Sequence, residues 1–185
     1  MNRDEAWTLL CEYTQSDSLR KHALAVEAAM RHYAGLLGAD VEQWGVAGLI
    51  HDFDYERWPN PPDHTRQGAR VLRERGVEEE IIDAVLSHAD WNLDKFPRDR
   101  PMRKALFAVD ELSGFITACA LVRPTKLAGL TPASVKKKMK TAAFAAAVSR
   151  DDIRQGAELL GLELDAHIQN CIEALQGAAK ELGLA

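Results

Sequence analysis

Apolar residues recur along the chain three or four positions apart, the spacing of a helix face, almost from end to end. Residues 4–15 bring Trp7, Leu10 and Cys11 to one side, with acidic residues early, where the helix dipole favours them. Ser18 is placed to cap a long helix running to about Leu37, with Gly38 as its stop. A third helix is expected from just after Asp40 to near His51–Asp52. Three prolines nearly in a row make WPNPPD a loop. Residues 64–75 and 78–88 read as two short helices separated by Gly76, and after the loop NLDKFPRDRP a helix covers about 102–122. Beyond Arg123–Pro124, Thr131 caps TPASVKKKMK with Pro132 in its first turn. Short helices are expected near 141–148 and 150–160, and a closing helix over about 163–182. Its stripe of Leu164, Ile168, Cys171, Ile172, Leu175 and Leu182 fits core packing or a homodimer face. No segment alternates with the two-residue period of a strand. The expected fold is all-α, a helical bundle in one domain over 1–185.

Several polar residues interrupt these stripes. His22 lies on the stripe Leu19, His22, Val26, Ala29, Tyr33, and His88 ends Ile81, Ala84, Val85, His88. Asp110 sits on Leu106, Asp110, Gly114, Thr117, and HDFDYE follows directly behind the apolar run VAGLI. Burying such groups is unfavourable unless they are paired, hydrogen-bonded or bound to a metal. Any one of them alone reads as a hydrogen-bonded core residue. Together, His22, His51, Asp52, His88 and Asp110 bring inward-facing imidazoles and carboxylates from separate helices, which is how bundles build metal sites. Mixed nitrogen and oxygen donors suit divalent Mn, Fe, Co, Ni or Zn.

Composition narrows the setting. A 185-residue chain that is 46% apolar is large enough for a real core. A net charge of −5 argues against stable nucleic-acid binding and against anionic membranes. The three cysteines are far apart and odd in number, and the amino terminus has no uninterrupted apolar stretch, so the expected location is cytoplasmic. The run FITACALV is too short to span a bilayer.

His22, then His51–Asp52, then Asp110, in an all-helical chain, resembles the HD-domain superfamily of metal-dependent phosphohydrolases. The pattern covers a metal-site core of about 18–122, which leaves about 131–185 as a C-terminal helical extension. DELSGFITACALVRPTK, with SVKKKMK after it, is similar to a small HD-domain hydrolase subgroup. The resemblance implies His22, His51, Asp52 and Asp110 as ligands of one metal. His64, opening HTRQGARVLRERG, and His88, in VLSHADW, are similar to the histidines that hold a second metal in HDIG and HD-GYP members, with the aspartate of the HD pair bridging. The chain departs from HD-GYP proteins in lacking the GYP signature and in carrying Ala89 where a second histidine follows. His32 and His167 match nothing in the pattern and read as surface or packing residues.

This resemblance implies one or two divalent transition metal ions and hydrolysis of a phosphate monoester or anhydride, with a nucleotide as the specific candidate. Asp54 and Glu56 cannot both be metal ligands at this spacing. Asp54 is therefore expected to position water or protonate the leaving oxygen, with Glu56 the second choice. Positive charge for the phosphate is expected from Arg123, Lys126 and Lys21, Arg123 foremost because guanidinium binds phosphate bidentately. The cluster Lys136, Lys137, Lys138 and Lys140 reads as a solvated face. Two other functions fit the same residues: an HD-fold di-iron oxygenase and a non-catalytic nucleotide-binding sensor.

Overall fold

A computed structural model describes residues 1–185. Its elements in chain order are α1 (Arg3–Tyr13), α2 (Asp17–Leu37), α3 (Val41–Ile50), α4 (Asp63–Glu74), α5 (Glu79–His88), a 3-10 turn (Asp90–Asn92), α6 (Pro101–Leu121), α7 (Pro132–Met139), α8 (Arg150–Leu159), α9 (Leu164–Gly177) and α10 (Ala179–Leu182). The fold is all-α, as expected. The long helices α2 and α6 form its axis. α2 packs on α3, α6 and α9, and α6 on α5, α8 and α9. A single hydrophobic core of 46 buried residues runs from Ala6 to Leu184, so the C-terminal helices pack into the same interior as the first six.

Local chemistry sets the helix ends. Asn2 and Glu5 form a reciprocal capping box at the start of α1. Ser16, rather than Ser18, caps α2 by accepting from the Leu19 amide, and Gly38 ends that helix in the left-handed region at φ 66°. Asp40 caps α3 by accepting from the Glu42 and Gln43 amides. α2 and α3 approach closely at Gly48, where a Cβ would stand 2.9 Å from the Val26 carbonyl oxygen. That contact brings the C-terminal end of α3, with His51, against the middle of α2.

Buried charge and polarity are matched. The Glu27 carboxylate accepts from Arg3 and Arg31, and Arg31 also donates to Glu42, joining α1, α2 and α3. His167 is a packing residue, fully buried: its Nε2–H donates to the Ala108 carbonyl at 2.9 Å, and its Nδ1 accepts from the Tyr33 hydroxyl at 2.6 Å. Burial holds this imidazole below its usual pKa.

Two expected helices differ. Residues 141–148 form successive turns. Their carbonyls at Thr141, Phe144, Ala145 and Val148 accept from the Arg150 guanidinium, those of Thr141 and Ala145 accept also from amides only three residues on, and Ala145 takes φ 43°. A single arginine thus overrides the helix propensity of an alanine-rich stretch. The closing helix breaks at Ala178 into α9 and α10. In its stripe Ile168, Cys171, Ile172, Leu175 and Leu182 are buried in the core, against other helices of the same chain. No helix is long and apolar enough to cross a membrane.

Candidate metal centre

All six expected ligands converge. His22 comes from α2, His51 from the end of α3, Asp52 from the turn after it, His64 from the start of α4, His88 from the end of α5 and Asp110 from α6. Two groups of donors each lie within 4.8 Å of one another: His22, His51 and Asp52; and Asp52, His64 and His88. Asp52 is common to both. Its Oδ2 is 3.5 Å from His51 Nε2, and its Oδ1 is 3.2 Å from both His64 Nε2 and His88 Nε2. Asp110 Oδ1 closes the first group, 2.9 Å from His22 Nε2 and 3.4 Å from His51 Nε2.

Hydrogen bonds behind the rings aim them. His51 Nδ1–H donates to the Gly48 carbonyl at 2.8 Å, His88 Nδ1–H to Val85 at 2.6 Å, and His64 Nδ1–H to Asp54 Oδ1 at 3.0 Å. Each bond turns an Nε2 toward the centre, the arrangement by which metal-binding histidines fix tautomer and orientation. Buried polar atoms elsewhere in the chain mostly find partners, but His51 Nε2 and Asp52 Oδ1 make no hydrogen bond despite lying against several donors and acceptors. Donors sharing one transition metal at about 2.1 Å stand about 3.0–3.4 Å apart, and the carboxylate–imidazole distances here run from 2.9 to 3.5 Å. The residues fit one or two divalent ions, and Asp52 is the residue that both groups share.

The carboxylates and imidazoles also hold one another's charge. Burial pushes the His51 imidazole down, yet the carboxylates of Asp52 and Asp110 outweigh it and raise the ring to about 9. His64 is likewise raised to about 9, by Asp52 and Asp54 against its own desolvation. Burial opposes ionisation of Asp52 and Asp110, but His51 and the neighbouring imidazoles hold both well below the usual carboxylate range.

The approach to His64 is irregular. His64 and Thr65 are not helical, and Thr65 takes φ 66°, a left-handed conformation that costs a β-branched residue about 1–3 kcal/mol. Asp54 holds this segment in place. Its Oδ2 accepts from the amides of Thr65 and Gly68, both at 2.9 Å, while its Oδ1 takes His64. Gly68 permits the approach, since a Cβ there would lie 2.7 Å from Asp54 Oδ2. Asn92 pins the segment from the other side through the Thr65 hydroxyl. His64 is buried rather than a loop side chain in solvent.

These contacts correct the expectation for Asp54. Both of its oxygens are engaged by protein donors and it is fully buried, so it orients His64 instead of meeting substrate. Glu56 turns away and accepts from the Gln15 and Ser16 amides. The three expected phosphate cations are elsewhere too. Arg123 lies beyond the end of α6, about three turns from Asp110, with its guanidinium on the carbonyls of Lys126 and Ala128. Lys126 donates to the Gly183 carbonyl, and Lys21 pairs with Asp17.

A cleft of about 260 Å³ opens onto Asp52, His64, His88 and Asp110. Its walls add Tyr55, Trp91 and Phe107, and the carboxylates of Asp90, Glu111 and Asp152, with no lysine or arginine. Glu111 was not anticipated. Burial and the adjacent Asp110 charge raise its carboxyl to about 7, while the Ser149 amide donates to its Oε2 at 3.0 Å. The sequence signal for it was its place beside Asp110, but adjacent helical residues diverge by about 100°, and only the segment returning through Ser149 turns Glu111 into the cleft.

The HD domain family model matches residues 19–113, more than half of the chain and all six converging side chains. Among curated proteins none matches. Among solved structures, the HD domain of the L. monocytogenes phosphodiesterase PgpH is similar in fold, with a TM-score of 0.52 at 15% identity, covering 96% of this chain and 98% of that one. A family match that takes in every residue of the centre, on a fold shared along nearly the whole chain, places this protein in the HD domain family.

Proposed function

We propose that the protein is a metal-dependent phosphohydrolase acting on a small phosphate ester, with a nucleotide as the specific candidate. The observation that carries this reading is Asp52: its two oxygens face separate histidine groups at the floor of an open cleft. His22, His51 and Asp110 would hold one ion and His64 and His88 the other, with Asp52 between them. Bound there, the ions supply Lewis acidity, polarising a phosphoryl oxygen and making water a better nucleophile.

The chain's own residues do the rest. No cation lines the cleft, so the phosphate's charge is left to the ions, and the carboxylates on the rim disfavour a long polyanionic tail. That favours a compact monoester or diester over a triphosphate. Glu111 lines the cleft beside Asp110, oriented by Ser149, and is placed to hold or deliver the proton that the leaving oxygen needs. Tyr55 and Trp91 are 40% and 38% exposed, and both rings pack on His64 at the mouth. They offer a flat surface for an aromatic group such as a nucleobase, which supports the nucleotide candidate.

The test is a panel of phosphate monoesters and diesters, nucleotides included, assayed for product release with Mn²⁺ or Fe²⁺, in air and under argon. Turnover under argon that requires metal and disappears in Asp52→Ala is expected. Turnover that needs oxygen and reduced iron would replace the hydrolase with an HD-fold oxygenase, and tight nucleotide binding without product would make the protein a sensor.

A further inference from the structure

Arg123 and two lysines of α7 line a second pocket, away from the metal centre. It measures about 310 Å³, lies between the end of α6 and α7, and is lined by Cys119, Arg123, Ser134, Lys137, Lys138 and Thr141. We infer that this pocket is a second ligand site, built for the phosphoryl group of a small molecule and separate from the catalytic cleft.

Three features of the lining support an anion. The first is charge: Arg123, Lys137 and Lys138 line it, no carboxylate does, and none of the three forms an ion pair in the chain, whereas neighbouring Lys136 is paired with Asp165 at 2.6 Å. Three uncompensated cations facing one cavity repel one another, and an anion relieves that repulsion. The second is preorganisation. Arg123 is half-buried; its Nε–H donates to the Lys126 carbonyl, and its Nη2 donates to Thr125 and Ala128. These bonds fix the guanidinium plane and leave Nη1 with no partner. A guanidinium held in this way loses little freedom on gripping a phosphate. Lys138 is likewise steadied, its Nζ 4.8 Å above the Phe144 ring. The third is neutral donors: the hydroxyls of Ser134 and Thr141 complete a set suited to a tetrahedral oxyanion, and the volume leaves room for an organic group beyond it.

This pocket is not an arm of the catalytic cleft. Glu111, Phe115 and Cys119 follow one another at four-residue steps along one face of α6. Glu111 lines the cleft and Cys119 the second pocket. Between them Phe115 is covered by the Phe144 ring, 5.6 Å away, and by the Arg150 guanidinium, 4.8 Å above it. The turns over 141–148 therefore close α6 off between the two sites, and the two linings share no residue.

The test is calorimetric titration of inorganic phosphate and of pyrophosphate into the full-length, metal-free protein at low ionic strength, where no lysine or arginine lines the catalytic cleft. One equivalent is expected to bind. Lys137→Gln and Lys138→Gln should each weaken binding by about tenfold or more, and Lys136→Gln by less than about twofold. Because Arg123 also braces its turn, Arg123→Gln is read only if its helical circular dichroism is unchanged, and the lysine variants carry the decision. Absence of binding at millimolar phosphate, binding indifferent to Lys137 and Lys138, or equal weakening in Lys136→Gln would each overturn the site.

Discussion

The carboxylate of Asp54 works through its neighbours, drawing His64 Nδ1 and the amides of Thr65 and Gly68 onto two oxygens. Asp54→Ala should release His64 and relax Thr65 from its left-handed conformation. Metal affinity on the His64–His88 side should fall by about 10- to 100-fold, while the His22–His51 side keeps its ion. Elemental mass spectrometry of dialysed protein reads this as the loss of one equivalent, and two equivalents held at wild-type affinity would remove the orienting role. Glu111 is the converse case, a side chain that contacts the cleft and stands outside both donor groups. Glu111→Gln should lower kcat by about 10²- to 10⁴-fold with metal content unchanged. At this scale His22, His88 and Asp110 were legible because each breaks an apolar stripe, and His51–Asp52 because they follow an apolar run, whereas His64 was legible only through the family resemblance. The role of Asp54 was not legible, because its donors lie ten to fourteen positions away, around a turn with no periodic pattern. Arg123 follows the Asp110 helix in sequence, but proximity along a chain gives no direction in space, and three turns of α6 carry it away.

Among the elements, α2, α6 and α9 meet where His167 joins Tyr33 to the Ala108 carbonyl. Tyr33→Phe deletes the one hydroxyl that satisfies His167 Nδ1 in a dry interior. Unfolding in urea should show a loss of about 1–3 kcal/mol with an unchanged denaturant slope, and a smaller change would mean that the ring finds another partner. The helices themselves were readable from periodicity and caps, and the long ones lie close to where spacing and Gly38 placed them. The segment 141–148 was not readable. Its alanines favour a helix, and what undoes that helix is the Arg150 side chain reaching back over up to nine residues to take its carbonyls. The start of α4 misled for a related reason: Asp54 and Asn92, remote in sequence, hold His64 and Thr65 out of helical geometry.

For the whole molecule, the charges of the centre link stability, protons and metal. Without metal, His51 and His64 have pKa values raised to about 9 by their carboxylate neighbours, above an unfolded value near 6.5. The folded state therefore binds protons more tightly than the unfolded state. The stabilisation is complete below pH 6.5 and is lost as pH rises through about 9. Asp52 and Asp110 run the other way: held below their ordinary range, they stabilise above about pH 4 and stop doing so in stronger acid. Metal-free protein should thus melt highest between about pH 4 and 6.5 and lose Tm steadily toward pH 9. With metal bound, His51 and His64 would hold the ion through nitrogens that carry protons without it, so the alkaline decline should vanish in the metal-saturated protein. Binding at pH 7 should also release more than one proton per chain, measurable with an indicator dye in weak buffer. Parallel Tm profiles from pH 6.5 to 9 with and without metal, together with no proton release, would mean that the two imidazoles are already neutral in the empty centre. The cluster would then be held together by geometry alone, without the ion pairs assigned to it.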